Sequence, residues 1–242
     1  MRDNIRLAAT VMLVRDTPDD LEVYMVKRPG RGDFPDLHVF PGGKVDESDF
    51  APHLCRGLDD VEASRRLGIE AGGLRYWMAV ARECFEEAGV LLLTDHEGNF
   101  PGADKLATWR EFILSHEDGF TQLCADENLQ VDCQSLAYFS HWLTPEMAPR
   151  RFDTRFFLAA MPDDQVALAH VGETVGEQWT TPIAALEKFK RGVWQMIDPT
   201  LRSLETLSQY HSVDQAIAGA RGGEHLMPLT DELRRQGMQP LR

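Results

Sequence analysis

The segment Leu74–Ala88 constrains this chain more than any other stretch. Its apolar positions recur with a helical period, and Gly89 follows as a residue able to take the left-handed conformation that ends a helix. Within it, Arg82-Glu83-Cys84-Phe85-Glu86-Glu87-Ala88-Gly89 spaces three carboxylates so that Glu83, Glu86 and Glu87 project from one side. Like charges on one stripe repel each other, and a protein tolerates them when a cation neutralises them. Hard oxygen ligands of this kind suit Mg²⁺ or Mn²⁺. Val80, Ala81, Cys84, Phe85 and Ala88 supply the side that packs into a core, and Arg82 can pair with a neighbouring acid and fix its rotamer. Taken alone, three glutamates in five residues describe a solvated acidic face. Two features argue instead for a site: the glycine cap that follows at once, and the upstream turn Phe40-Pro41-Gly42-Gly43-Lys44-Val45-Asp46, where glycines let backbone approach another segment or a ligand.

The remainder of the chain must supply a scaffold for that helix. Its 242 residues are enough for one α/β (α+β) domain with a large core, and the whole of residues 1–242 reads as a single domain. Strand-like segments occur at Ile5–Arg15, Leu21–Arg28, His38–Phe40, Ala137–Leu143, Phe152–Ala160 and Thr174–Thr180, with Val90–Leu93 extended. Helical segments occur at Val61–Ile69, as a pair over about 103–128, and over about 183–221. The two kinds alternate without the regular rhythm of a doubly wound sheet, which favours a mixed sheet sandwiched between helices.

Charge and cysteine content narrow the partners. Lys and Arg total 25 against 39 Asp and Glu, a net charge of −14. Such a surface is unsuited to duplex nucleic acid. Neither a nucleic-acid nor a membrane partner is expected; a homodimer is the one assembly left open. Cys55, Cys84, Cys124 and Cys133 form no Cys-x-x-Cys pair and read as small apolar fillers in a reducing compartment. No apolar run is long enough to span a bilayer and no signal segment is evident, so a cytoplasmic location is the expectation.

The two glycine- and acid-bearing segments together resemble the halves of the Nudix box: Gly, five residues, Glu, seven residues, then Arg-Glu-apolar-x-Glu-Glu-x-Gly-apolar. Gly43 stands as the first glycine, Asp49 where the family usually has Glu, and Arg82–Val90 as the second half. The spacer departs from the pattern, since residues 50–81 number 32 rather than seven. The chain is similar to the Nudix branch with a split box, which includes the peroxisomal acyl-coenzyme A diphosphatases. His38–Gly43, Arg82–Leu92, Trp142–Pro145 and Arg150–Leu158 carry that likeness, over about residues 5–210.

The resemblance implies a Nudix fold with a helical insert, about residues 50–72, inside the box. It implies hydrolysis of a diphosphate bond in a small nucleotide-like molecule by water at a divalent metal, Mg²⁺ or Mn²⁺. Glu83 and Glu87 would be the most direct metal ligands, with Glu86 a ligand or an orienter. Arg82 would be a structural partner and Asp49 a weaker contributor. The family often adds a carboxylate from a later segment as ligand or general base. Glu173 and Glu177 are the candidates, and Glu177 is preferred for its place just before Trp179 and Thr180-Thr181-Pro182. Gly42 and Gly43 would border the substrate. Lys27, Arg28 and Arg31 lie where coenzyme A diphosphatases bind the 3′-phosphate, and Arg150, Arg151 and Arg155 are further candidates for phosphate contact. Coenzyme A or an acyl-coenzyme A is the leading substrate. The alternatives are ADP-ribose or a nucleotide sugar, a nucleotide-sensing protein of the same fold that does not cleave, and a protein-interaction module.

Overall fold

A computed structural model describes residues 5–30, 35–148, 150–170 and 175–223. Its centre is the first strand, β1 (Ile5–Asp16), which returns through the turn at Thr17–Asp20 into β2 (Leu21–Lys27). The short strands β3 (His38–Val39) and β4 (Gly42–Lys44) follow, then β5 (Cys55–Arg56), helix α1 (Asp60–Leu67) and helix α2 (Leu74–Ala88). Next come β6 (Leu93–Thr94), α3 (Leu106–Ser115), α4 (Gly119–Asp126) and β7 (Gln130–Asp132). The long strands β8 (Leu136–Leu143) and β9 (Arg151–Ala160) precede β10 (Gly176–Thr180) and the helices α5 (Pro182–Lys190), α6 (Asp198–Leu207) and α7 (Val213–Gly222).

The main sheet runs β10-β2-β1-β9-β8, with β3 added to β2 and β4 to β1. It is mixed: β1 and β9 are parallel over ten residue pairs, from Ile5↔Arg151 to Val14↔Ala160, and the other pairings are antiparallel. Because β1 is central, both of its faces are buried, and alternation assigns each face to a different helix layer. Ala9, Val11 and Leu13 pack against Trp77, Val80, Cys84 and Phe85 of α2. Met12 and Val14 pack against Leu204, Leu207 and Ala216 of α6 and α7. Trp77 is fully buried edge-on to Phe157 of β9 at 4.9 Å between ring centroids. The sandwich expected from the sequence is therefore present, and α2 coincides with the segment read as its strongest helix.

The segment between the two halves of the acid motif forms α1 and β5, and β5 joins the later strands β7 and β6 in a second, three-stranded sheet, β5-β7-β6. Neither β5 nor β7 was legible in the sequence, since two- and three-residue strands carry no periodicity. The insert also caps the helix that follows it. Asp60 Oδ2 accepts from the amide of Gly72 at 2.8 Å and its Oδ1 from the amide of Leu74 at 3.0 Å, while Ser64 Oγ accepts from the amide of Gly73 at 2.9 Å. Amides at the start of α2 thus find their acceptors in α1, and the negative charge of Asp60 sits at the positive end of the helix dipole. The approach is close enough that a β-carbon on Gly73 would lie 2.3 Å from the backbone nitrogen of Ser64. Gly73→Ala is accordingly expected to destabilise the protein by about 1–3 kcal/mol through overpacking against backbone that cannot give way. An unchanged midpoint in urea denaturation would refute this docking of α1 on α2.

Candidate active site

Three consecutive residues of β4 each meet one residue on the acidic face of α2. The amide of Gly42 donates to Glu87 Oε2 at 2.9 Å. Gly43 lies flat against the Glu83 carboxylate, where a β-carbon would come within 2.4 Å of Oε1. The carbonyl of Lys44 accepts from Arg82 Nη2 at 2.8 Å. Hydrogen bonding of β4 to β1, in the register Ala8↔Lys44 to Thr10↔Gly42, holds the loop in this position. The acidic face is therefore roofed by backbone, and Glu83 and Glu87 are each only 8% exposed. The two motif halves meet although the insert separates them in sequence.

Arg82 organises the charges. Its Nε and Nη2 donate to the two oxygens of Asp49, each at 2.9 Å, and its Nη1 donates to Glu83 Oε1 at 2.9 Å and Glu86 Oε2 at 3.2 Å. Asp46 Oδ2 stands 3.4 Å from Nη2. Burial by itself would loosen the guanidinium's proton, but Asp49, Glu83 and Glu86 more than reverse this and raise its pKa. Asp49 is 1% exposed and spends both oxygens on Arg82. It belongs to the scaffold, which corrects the expectation that it contributes to a metal. Arg28 Nη2 donates to the carbonyl of Gly42 at 2.9 Å and lies 3.8 Å from Glu87 Oε1, so Gly42 is gripped on both its polar groups.

Glu83, Glu86 and Glu87 border an open cavity of about 1170 Å³ together with Arg28, Lys44 and Asp46. Other layers add apolar side chains to the lining, Trp142 of β8, Phe152 and Phe156 of β9, Phe189 of α5, and Met196 and Leu201 around the start of α6, with Thr144, Thr154, Asp198 and Thr200 among them. Among the described residues, no three carboxylate, imidazole or thiol side chains already converge on one point as a closed metal cage. The three glutamates still fit a hard cation. They share one face of one helix at the cavity, and burial, reinforced by Glu87 and Glu86 and opposed by Arg82, pushes the Glu83 carboxyl up to about 8. Burial disfavours the charged form of Glu83, and a cation beside it would favour that form again.

Several residues singled out by sequence lie elsewhere. Arg155 is fully buried on the α2 face of the sheet, bonded to Asp153 and stacked over Tyr76 at 5.5 Å, and does not border the cavity. Arg151, also buried, donates from Nε to the carbonyl of Thr144 at 3.1 Å and does not border the cavity. Both share the strand parity of Phe157, whereas Phe152, Thr154 and Phe156 face the cavity. Glu177 accepts from the Tyr24 hydroxyl and the Ala169 amide and stands off the cavity wall. Lys27 is 3.8 Å from Asp36. His38 stacks on Trp194 at 4.3 Å, and His141 is bonded to Asp153 at 2.7 Å, so neither serves the site. Arg31 and Glu173 lie outside the described residues. Sequence reasoning missed Lys44, Asp46 and the wall from α5 and α6, which no local pattern marks.

Residues 71–207 match the model of the NUDT19 Nudix domain, more than half of the 242-residue chain. The chain belongs to the NUDT19 Nudix domain family. It is 31% identical to the human acyl-coenzyme A diphosphatase NUDT19 over 226 residues, covering 77% of this chain and 60% of that one. The chicken (Gallus gallus) protein of the same name is 28% identical, covering 93% of this chain and 75% of its relative. This chain thus spans about three fifths of the human relative's length. Among solved structures, that of a Nudix hydrolase from Alicyclobacillus acidocaldarius is similar with a TM-score of 0.74 at 26% identity, covering 90% of this chain and 97% of that one. The match to the NUDT19 model begins at residue 71, so the Gly43 half of the box lies outside it and is joined to the rest by the contacts of Arg82 and Glu87 described above. Among the described residues no helix is long and apolar enough to cross a membrane.

The raised pKa of Glu83 has a consequence for stability. A carboxyl whose folded value lies near 8, above its ordinary 4.5, makes the metal-free fold hold a proton that the unfolded chain releases. Stability from this group is full below about 4.5 and is lost as pH rises toward about 8. In chelator, the melting temperature of Glu83→Gln relative to wild type should therefore climb across that window. A difference that stays constant with pH would contradict the assignment.

Proposed function

We propose that this Nudix domain hydrolyses the diphosphate of coenzyme A and its acyl esters, using Mg²⁺ or Mn²⁺ held by Glu83, Glu86 and Glu87. The products would be 3′,5′-phosphorylated adenosine and 4′-phosphopantetheine or its acyl form. The carrying observation is that one cavity brings the clustered carboxylates and Arg28 together with the apolar side chains of Trp142, Phe152, Phe156, Phe189, Met196 and Leu201. A substrate that joins a diphosphate to a long, sparsely charged arm matches both kinds of lining. ADP-ribose and nucleotide sugars carry a hydroxylated sugar in place of that arm, which apolar side chains suit less well. The names of the human and chicken relatives support the same reading.

A divalent cation bound at the carboxylates would neutralise diphosphate charge and lower the pKa of an attacking water, so that water adds to one phosphorus and the bridging oxygen leaves with the other phosphate. The chain's own groups set the geometry. Arg82 Nη1 fixes one oxygen of Glu83 and one of Glu86, the Gly42 amide fixes Glu87 Oε2, and Arg28 brings positive charge to the same end. For the 3′-phosphate, Arg28 and Lys44 are the cavity-lining cations that remain among the described residues once Arg82 is committed to its carboxylates.

Initial rates on acyl-coenzyme A, coenzyme A, ADP-ribose and a nucleotide sugar, each with Mg²⁺ and with Mn²⁺, test the reading. The highest kcat/KM is expected for acyl-coenzyme A, and a higher value for ADP-ribose would overturn it. Glu87→Gln is expected to lower turnover roughly 100-fold or more while the fold survives. Phe189 is among the apolar lining residues and 36% exposed, so Phe189→Asp should spare the fold. Each buried methylene contributes about 0.8 kcal/mol, so displacing two from the wall costs roughly tenfold in kcat/KM for the acyl substrate, with little effect on ADP-ribose. Equal losses on both substrates would show that the acyl arm does not lie there.

A further inference from the structure

Glu86 and Glu87 sit on the last turn of α2, where an α-helix leaves four carbonyls without partners inside the helix and where it frays most readily. Here all four are taken. The Gly89 amide donates to the carbonyl of Phe85 at 3.0 Å, the His170 amide to that of Glu87 at 3.1 Å, and the Leu168 amide to that of Ala88 at 2.8 Å. The carbonyl of Glu86 is bound by a side chain from another helix: Arg110 of α3 donates to it from Nε at 3.1 Å and from Nη2 at 2.7 Å. The third nitrogen of the same guanidinium, Nη1, donates to the carbonyl of Leu168 at 2.8 Å. One planar fork thus ties the last turn of α2 to the segment whose amides cap it.

We infer that Arg110 is a positioning residue for the metal-site carboxylates, acting through the backbone of Glu86 and the 168–170 segment. The inference rests on Glu83, Glu86 and Glu87 being that metal site. The physics favours a cation at this place. The C-terminal end of a helix carries partial negative charge, three carboxylates add to it, and Arg110 opposes both. Its donors are rigidly spaced, so two acceptors can be held at once, which an ammonium group does less well. Trp109 and Ile113 of α3 are buried in the same core as α2, which fixes the base from which Arg110 reaches. Gly89, at φ 68°, leaves room for the fork, since a β-carbon there would come 2.8 Å from Nη1.

The test uses the full chain carrying Arg110→Lys and Arg110→Gln. Mn²⁺ affinity is read from the resonance of the free ion, and amide hydrogen exchange is measured in metal-free protein. Wild type is expected to bind Mn²⁺, Arg110→Lys to bind it several-fold more weakly, and Arg110→Gln at least about tenfold more weakly. Exchange at Leu168 and His170 should quicken in the same order. At saturating Mn²⁺, kcat should recover more fully than metal affinity, a split that general destabilisation would not produce. Wild-type affinity in Arg110→Lys, which keeps the charge and is the gentler change, overturns the proposal whatever Arg110→Gln does. So does unchanged exchange at Leu168 and His170. A wild-type protein that binds no Mn²⁺ would instead overturn the metal site itself, and this inference with it.

Discussion

One buried guanidinium makes the acidic face of α2 compatible with a folded protein. Glu83, Glu86 and Glu87 repel one another, and Arg82 answers by bonding two of them while gripping both oxygens of Asp49 and the carbonyl of Lys44. Removing charges from water is costly, and a cluster of this kind is retained only where geometry satisfies nearly every donor. Arg82 meets that condition. Because Lys44 and Asp49 are pinned to it, the chain can leave the site at Phe50, build β5 and α1, and return at Leu74 without moving either motif half. The length of the spacer is therefore tolerated, since the geometry of the box depends on contacts in space.

The same helix is held at both ends by elements that the motif does not contain. Asp60 and Ser64 of the insert accept from the amides at its start, and the 168–170 segment with Arg110 occupies the carbonyls at its end. A site that concentrates like charge gives up stability, and the compensation has to come from surrounding structure. Here it comes from the two additions, α1 and α3, that enlarge this domain beyond its central sheet.

How much of this was legible in the sequence follows from which signals are local. The helix Leu74–Ala88, its Gly89 terminus, the first hairpin and the three-glutamate face could all be read, because period and capping are written into neighbouring residues. Strand alternation also bears on Arg151 and Arg155, the candidates for phosphate contact. Counting by twos from the core residue Phe157 sends both toward α2, while Phe152 and Phe156 turn to the cavity. Glu177 looked like a site carboxylate from its position in the chain, yet Tyr24, distant in sequence, captures it. The segments holding Trp142 and Phe156 stood out in the sequence, but their meeting with Phe189 and Leu201 did not, because the four come from different elements and meet only in the folded chain.

The parallel pairing of β1 with β9 bears on the order in which the molecule can form. Residues 5–14 must wait for residues 151–160 before the centre of the sheet has both neighbours. On the ribosome, β1 can find β2, β4 and α2 early, but one long edge stays unpaired until residues 151–160 have emerged. Such an edge is apolar on both faces and is a template for pairing with other chains. The cap on α2 is later still, since it needs residues 168–170. A domain of this topology therefore completes its core and then the end of α2 late, and its exposure to misassociation during synthesis is set by how quickly β9 arrives.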